Sequence, residues 1–272
     1  MAINLANPVN WQSPLNRGLV ARYMVIDGFG GKGGYYRNLA RPRMLGTLTN
    51  GATWLGKRGP GNIGVLNLVG ASSNYVLMGA TDFPTSGDMT FACRMRMTVE
   101  TGSMISFSNT GEPTKIIDWS IRPFGKQRFE LFDGTNNPFV DGAFNLSNTG
   151  LHTIMAVRKA GSTLKVYVNG VEEGSVSDTA SGSLDDGSQL WSIGLRRDTY
   201  GAYATMVGDD FCGWNRAFSA DEVKLWHSEV RLGSPTTLTR SPAFSPLIFL
   251  PAAPSGGTVP VFVHHYRMQG AA

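Results

Sequence analysis

The chain has 272 residues, 42% of them hydrophobic and only 16% charged, with 34 glycines and 14 prolines. This is enough apolar material for a sizeable core and too much glycine and proline for long helices, so short elements joined by tight turns are expected. The net charge of +4 is uneven: residues 1–81 are basic with Asp27 as their one acid, 230–272 hold Arg231, Arg240 and Arg267 and no acid, and the acids gather between; these cations are scattered without interleaved aromatics, which argues against a nucleic-acid stacking platform.

Residues 1–16 read as an extended N-terminal arm with Pro8 and Pro14. Residues 18–25 follow as a strand-like run, then a long Gly- and Arg-rich loop over 27–46. Short strands are expected at 52–55, 65–68 and 75–78, where Asn67 between Leu66 and Leu68 gives the alternation of a half-buried strand. Further strands are expected at 89–97, 103–108, 119–122 and 129–132. Residues 152–158 and 164–168 flank a hairpin turn signal at 159–162, and Asn169-Gly170, a strong turn dipeptide, leads into 171 and 174–176. Runs at 190–195 and 209–214 close the series. Strands this closely spaced predict an all-β antiparallel sandwich over 17–232.

One short C-terminal helix is expected. Ser219 and Glu222 form a capping box, and Val223, Trp226, His227 and Val230 recur on one face. Beyond it, residues 233–272 form a Pro-rich extension that ends in a strand-like segment, 261–268. Cys93 and Cys212 each sit in an apolar run; they can pair with one another, but two buried thiols are favoured. No secretory signal is visible at 1–16, so any export is expected to use another route. No apolar run approaches the roughly 18 residues of a membrane span, and no membrane partner is expected.

The segments 152–158 and 162–170, with Tyr167-Val168-Asn169-Gly170 closing their hairpin, resemble the paired strands of laminin-G-like, concanavalin A-like jelly rolls. Residues 209–223 are similar to that family's closing strand and short helix, and 18–23, 67–70 and 74–76 to its opening segments. The opening 10–20 resembles laminin-G-like proteins of bacteriophages and some environmental bacteria. The resemblance covers about residues 17–232 and implies a concanavalin A-like sandwich, not one function.

Hydrolases of this superfamily resemble one another in a Glu-x-Asp-x-Glu strand, which is missing here. The pairs Glu172-Glu173, Asp185-Asp186 and Asp209-Asp210 are expected as turn residues, and the four histidines as surface or packing groups, so no enzyme is expected. Relatives often carry calcium on a loop edge; Asp27, Asp185, Asp186 and Asp209 are the weak candidate ligands, though no loop spells a ligand series and no other cofactor is implied. Tyr35, Tyr36, Tyr200 and Tyr203 lie in Gly-rich loops and are the candidates for a ligand surface.

Two functions follow as expectations. In the first, the chain is a structural protein of a phage virion, made in the host cytoplasm. It docks onto other virion subunits and onto its own copies through its arms, with Trp11, Arg240, Phe249, Phe262, His264, Tyr266 and Arg267 as docking residues. In the second, it is a lectin-like module that binds surface glycans at a cell surface or outside the cell.

Overall fold

The computed structural model describes residues 9–23, 35–41, 44–55, 65–97, 102–110, 114–147, 149–197 and 202–231. In chain order the strands are β1 (Leu19–Tyr23), β2 (Tyr35–Arg37), β3 (Leu45–Thr49), β4 (Thr53–Leu55), β5 (Val65–Leu68) and β6 (Tyr75–Leu77). Then come β7 (Met89–Met97), β8 (Gly102–Ser108), β9 (Ile116–Arg122), β10 (Lys126–Phe132) and β11 (Phe139–Asn145). The set closes with β12 (His152–Lys159), β13 (Thr163–Val168), β14 (Val171–Ser177), β15 (Leu190–Ile193), β16 (Met206–Trp214) and the helix α1 (Ala220–Arg231).

These strands form two eight-stranded sheets. Sheet one runs β14-β13-β12-β7-β16-β5-β4, with β1 also on β16; sheet two runs β11-β10-β9-β8-β15-β6-β3-β2. Every paired strand is antiparallel to its neighbour, so the expected sandwich is present. Strand alternation explains the layers. On β7, Cys93, Met95 and Met97 face sheet two and join the main core, while Ala92 faces the opposite way into a second cluster. The main core holds a ring cluster in which Trp191 stacks on Phe107 with centroids 4.8 Å apart and meets Phe83 at 5.1 Å. Each such buried ring stabilises by roughly 1.5–3 kcal/mol relative to exposure.

The second cluster covers the outer face of sheet one. Trp226 and Val223 of α1, Phe218, Leu39 and the N-terminal residues Val9 and Leu15 pack there on Trp214, Met155 and Tyr167. Trp214 Nε1 donates to the Leu15 carbonyl at 2.7 Å. The described part of the N-terminal arm therefore belongs to the chain's own core, against the expectation that it reaches outward. It buries two aliphatic side chains that an extended arm would leave in water.

Other local expectations are corrected too. The loop expected over 27–46 contains β2 and the start of β3, and β11 was missed because Asp141 and Gly142 interrupt its apolar pattern. Glu172-Glu173 lies on β14, and Asp209-Asp210 on β16 at a bulge where Asp210 takes φ 52°. Asp185-Asp186 lies in the loop between β14 and β15. Cys93 and Cys212 are free and buried in different clusters, on opposite faces of sheet one. Burial pushes both thiols well up. The segments 1–8 and 232–272 lie outside the described residues, and with them the Pro-rich extension and its terminal strand-like run.

The capping box forms as its sequence predicts. Glu222 N donates to Ser219 Oγ at 3.3 Å and Ser219 N donates to Glu222 Oε2 at 2.9 Å. Ser219→Ala is expected to cost about 1 kcal/mol in urea unfolding. An unchanged midpoint would mean that tertiary packing alone holds the first turn of α1.

Candidate binding end of the sandwich

The registers sort the turns onto two ends. Met97 pairs with Met206, which pairs with Leu68, and His152 pairs with Met95. Ile154 pairs with Val168, Gly102 with Ile121, and Lys126 with both Arg122 and Asn145. One end of the sandwich thus gathers the turns 49–53, 69–74, 123–125, 146–151 and 169–170.

An open cleft of about 280 Å³ lies beside this end, lined by Arg94, Leu151, Thr153, Asn169 and His227. It is a product of cross-strand pairing. Thr153 on β12 stands opposite Arg94 on β7, which stands opposite Asp209 on β16, all on the outer face of sheet one. Arg94 Nε donates to Asp209 Oδ1 at 2.8 Å, and Nη2 donates to Oδ2. This bidentate grip fixes the guanidinium plane and leaves Nη1 without a hydrogen bond to any described residue. Beside it, Arg22 Nε and Nη2 each donate to Asp210 at 2.8 Å. The bulge at Asp210 lets the adjacent carboxylates serve two different arginines.

The far wall comes from the Asn169-Gly170 turn and from α1. Thr153 Oγ1 and His227 Nδ1 are 2.6 Å apart. Asn169 takes the left-handed conformation at φ 51°, accepts from Thr153 N through Oδ1, and donates through Nδ2 to His152 Nδ1 at 2.9 Å. His152 Nε2 then donates to Thr149 Oγ1 at 2.9 Å. Burial holds the His152 pKa below the usual histidine value, which agrees with a neutral ring in that tautomer. The cleft therefore combines an oriented, buried cation with small polar groups and the exposed side chain of Leu151.

A second polar cluster lies on the outer face of sheet two. Glu130 on β10 and Asp118 on β9 are directly opposed, and Arg196 Nη1 lies 3.6 Å from Asp118 and 3.7 Å from Glu130. Ser103 Oγ donates to Asp118 Oδ1 at 2.5 Å. Burial pushes the Asp118 carboxyl up, against the pull of Arg196. Two neighbouring carboxylates are what a glycoside hydrolase needs, and the sequence did not reveal this pair, because no motif links 118 to 130. Here both acids are buried, Arg196 lies near both, and Arg122 Nη2 also donates to Glu130 Oε2 at 2.9 Å.

The candidate residues from the sequence do not converge. Tyr203 sits beside Tyr75 at this same end, ring centroids 6.4 Å apart. Tyr35 and Tyr36 are on β2 at the edge of sheet two, and Tyr200 lies outside the described residues. Trp11 is half exposed. Arg240, Phe249, Phe262, His264, Tyr266 and Arg267 lie outside the described residues.

The calcium candidates separate likewise. Asp27 is outside the described residues, and Asp209 is committed to Arg94, which corrects its assignment as a loop-edge ligand. Asp185 and Asp186 accept from the backbone of Gly187 and Ser188 within their own loop. Among the described residues no three His, Cys, Asp or Glu side chains gather as a metal site requires.

Among solved structures, the chain is similar to the binding domain of Paraclostridial Mosquitocidal Protein 1, with 15% identity and a TM-score of 0.59, over 78% of this chain and 52% of that one. It is similar to the binding domain of Botulinum Neurotoxin DC in complex with SialylT, with 7% identity and a TM-score of 0.58, over 79% and 52%. The same domain in complex with rat synaptotagmin II matches with 8% identity and a TM-score of 0.58, over 79% and 52%. The chain thus spans about half the length of these structures, and at such identities the likeness is one of fold. No curated protein matches the chain. Residues 70–224 match the laminin-G-type family model described as the concanavalin A-like lectin/glucanases superfamily, and to that superfamily the chain belongs.

Proposed function

We propose that the chain is a non-enzymatic, lectin-like module that binds carbohydrate at a cell surface, and that the cleft at Arg94 holds the sugar. The observation that carries this is Arg94, held by Asp209 and lining an open cleft together with the exposed, apolar Leu151. A sugar offers hydroxyl acceptors and an apolar ring face, and this wall answers both. The superfamily and the structural neighbours described as binding domains support a binding role. A hydrolase would need carboxylates open to substrate, whereas Asp118 and Glu130 are buried against Arg196. A virion protein docked by two arms loses support on one side, because Val9 and Leu15 are spent on the chain's own core.

A glycan array tests the proposal. The wild-type chain is expected to bind a restricted set of glycans, equally well with calcium and with a chelator. Leu151→Arg, at an exposed rim position, is expected to weaken that binding about tenfold or more while leaving the unfolding midpoint unchanged. An array with no signal under either condition would remove the proposal.

A further inference from the structure

We infer that the same end of the sandwich docks on an anionic lipid bilayer, with Phe124 as its inserting tip. This goes beyond carbohydrate binding and does not depend on it. It also revises the expectation of no membrane partner, which followed from the lack of a spanning segment; among the described residues no helix is long and apolar enough to cross a membrane.

The first observation is Phe124 itself. It stands at the tip of the β9–β10 hairpin, 72% exposed, with φ 70°. A bulky side chain in the left-handed region is strained, and the turn would be satisfied by Asn or Gly. The turn is nonetheless held firmly. Gly125 O accepts from Leu146 N at 2.9 Å, and a Cβ on Gly125 would come within 2.1 Å of Ser147 Oγ. The fold thus displays an aromatic ring to solvent in a conformation that the ring makes less favourable.

The second observation is the company it keeps. Leu151 and Val69 in the turns of the same end, and Val171 at the start of β14 beside them, are exposed. Lys126 is exposed beside the tip, Arg96 is exposed near the end of β7, and Arg122, on the tip's other side, is half-buried and donates to Glu130 at 2.9 Å. Among the described residues, the turns 49–53, 69–74, 123–125, 146–151 and 169–170 contain no Asp or Glu. Glu172, just below one of them, is taken by Lys165 at 2.8 Å, and Glu173 follows it. Glu100 and Asp198 lie in segments outside the described residues. The opposite end carries Asp82, Asp88, Asp133, Asp178, Asp185 and Asp186. That end also carries Arg41, Lys115, Arg158 and Lys159, with Arg158 paired to Asp178, so the difference between the ends is the lack of acids in the described turns of the first end. Apolar tips among cations fit a bilayer interface, where rings and aliphatic groups enter the acyl boundary and the cations meet lipid phosphates. An acidic glycan would answer the cations and leave Phe124, Val171 and Val69 unused.

Vesicle co-sedimentation of the full chain tests this. It is expected to bind vesicles of equal parts phosphatidylcholine and phosphatidylserine, to ignore phosphatidylcholine alone, and to release as salt rises. Phe124→Asn is expected to weaken the binding about tenfold, because a buried ring is lost. It is also expected to hold or raise the unfolding midpoint, because Asn accepts the left-handed turn. Lys126→Glu is expected to weaken binding without changing the midpoint. If the wild type fails to sediment with the mixed vesicles, or if Phe124→Asn binds them as well as the wild type, the inference is overturned. Phe124 and Lys126 do not line the cleft, and the glycan array contains no bilayer, so the two outcomes are separable.

Discussion

Arg196→Met is expected to lower the stability of the chain by about 3–5 kcal/mol at neutral pH. Asp118 and Glu130 stand opposite one another on β9 and β10, and both are buried. Arg196 Nη1 is the cation near both. Without it Glu130 keeps its 2.9 Å contact with Arg122 Nη2, but the buried Asp118 loses its nearby cation, and its Oδ2 already has no hydrogen bond among the described residues. The deficit should depend on pH in a stated direction. The folded-state pKa of Asp118 is already raised by burial. A raised carboxyl favours the fold below its unfolded pKa, and that contribution is lost as pH rises through the folded value. Removing Arg196 takes away a lowering influence and raises the pKa further. Urea unfolding of the variant should therefore recover towards the wild type as pH falls into the acid range, and Asp118→Asn in the same background should recover part of it at neutral pH. A deficit of equal size at neutral and acid pH would show that the loss is packing of the Arg196 stem and not charge.

Much of the scaffold is readable from local pattern. The alternation along β7 and β13, the Asn169-Gly170 turn and the Ser219–Glu222 box each act over a few residues, and the structure contains all of them. What failed was where the local pattern is overruled. β11 buries only Val140 and Gly142 fully and so shows little alternation in its composition. Asp209 and Asp210 carry the polarity of a turn but sit on a central strand, because Arg94 and Arg22, each on a neighbouring strand, neutralise them. The cleft was not legible at all. Arg94, Thr153, Asn169 and His227 come from four elements with no shared spacing, and only the β7–β12 register and the docking of α1 bring them together. The same holds for the two ends of the sandwich. Charge counted along the chain showed basic termini and an acidic middle, whereas the placing of the acids in the fold depends on which turns the strands carry to which end.

Trp226→Ala is the other large effect, and Trp226→Phe separates its causes. Trp226 is fully buried under α1 and meets Trp214 edge-on, centroids 6.5 Å apart. It is the largest side chain by which the helix covers the outer face of sheet one. Truncation to Ala is expected to cost about 3–5 kcal/mol. It should also loosen α1, which carries His227, so the cleft and any ligand binding there should be lost with it. Trp226 Nε1, however, is buried without a hydrogen-bond partner among the described residues. A buried unmet donor costs about 1–3 kcal/mol by itself. Phe removes that donor and keeps a ring, so the gain offsets much of the smaller cavity it leaves. Trp226→Phe is therefore expected to lie within about 1.5 kcal/mol of the wild type and to keep glycan binding. Paired urea unfolding and binding measurements decide it. If Phe proves as damaging as Ala, the indole nitrogen is satisfied in solution, and the helix is held by a polar contact at that atom as well as by apolar burial.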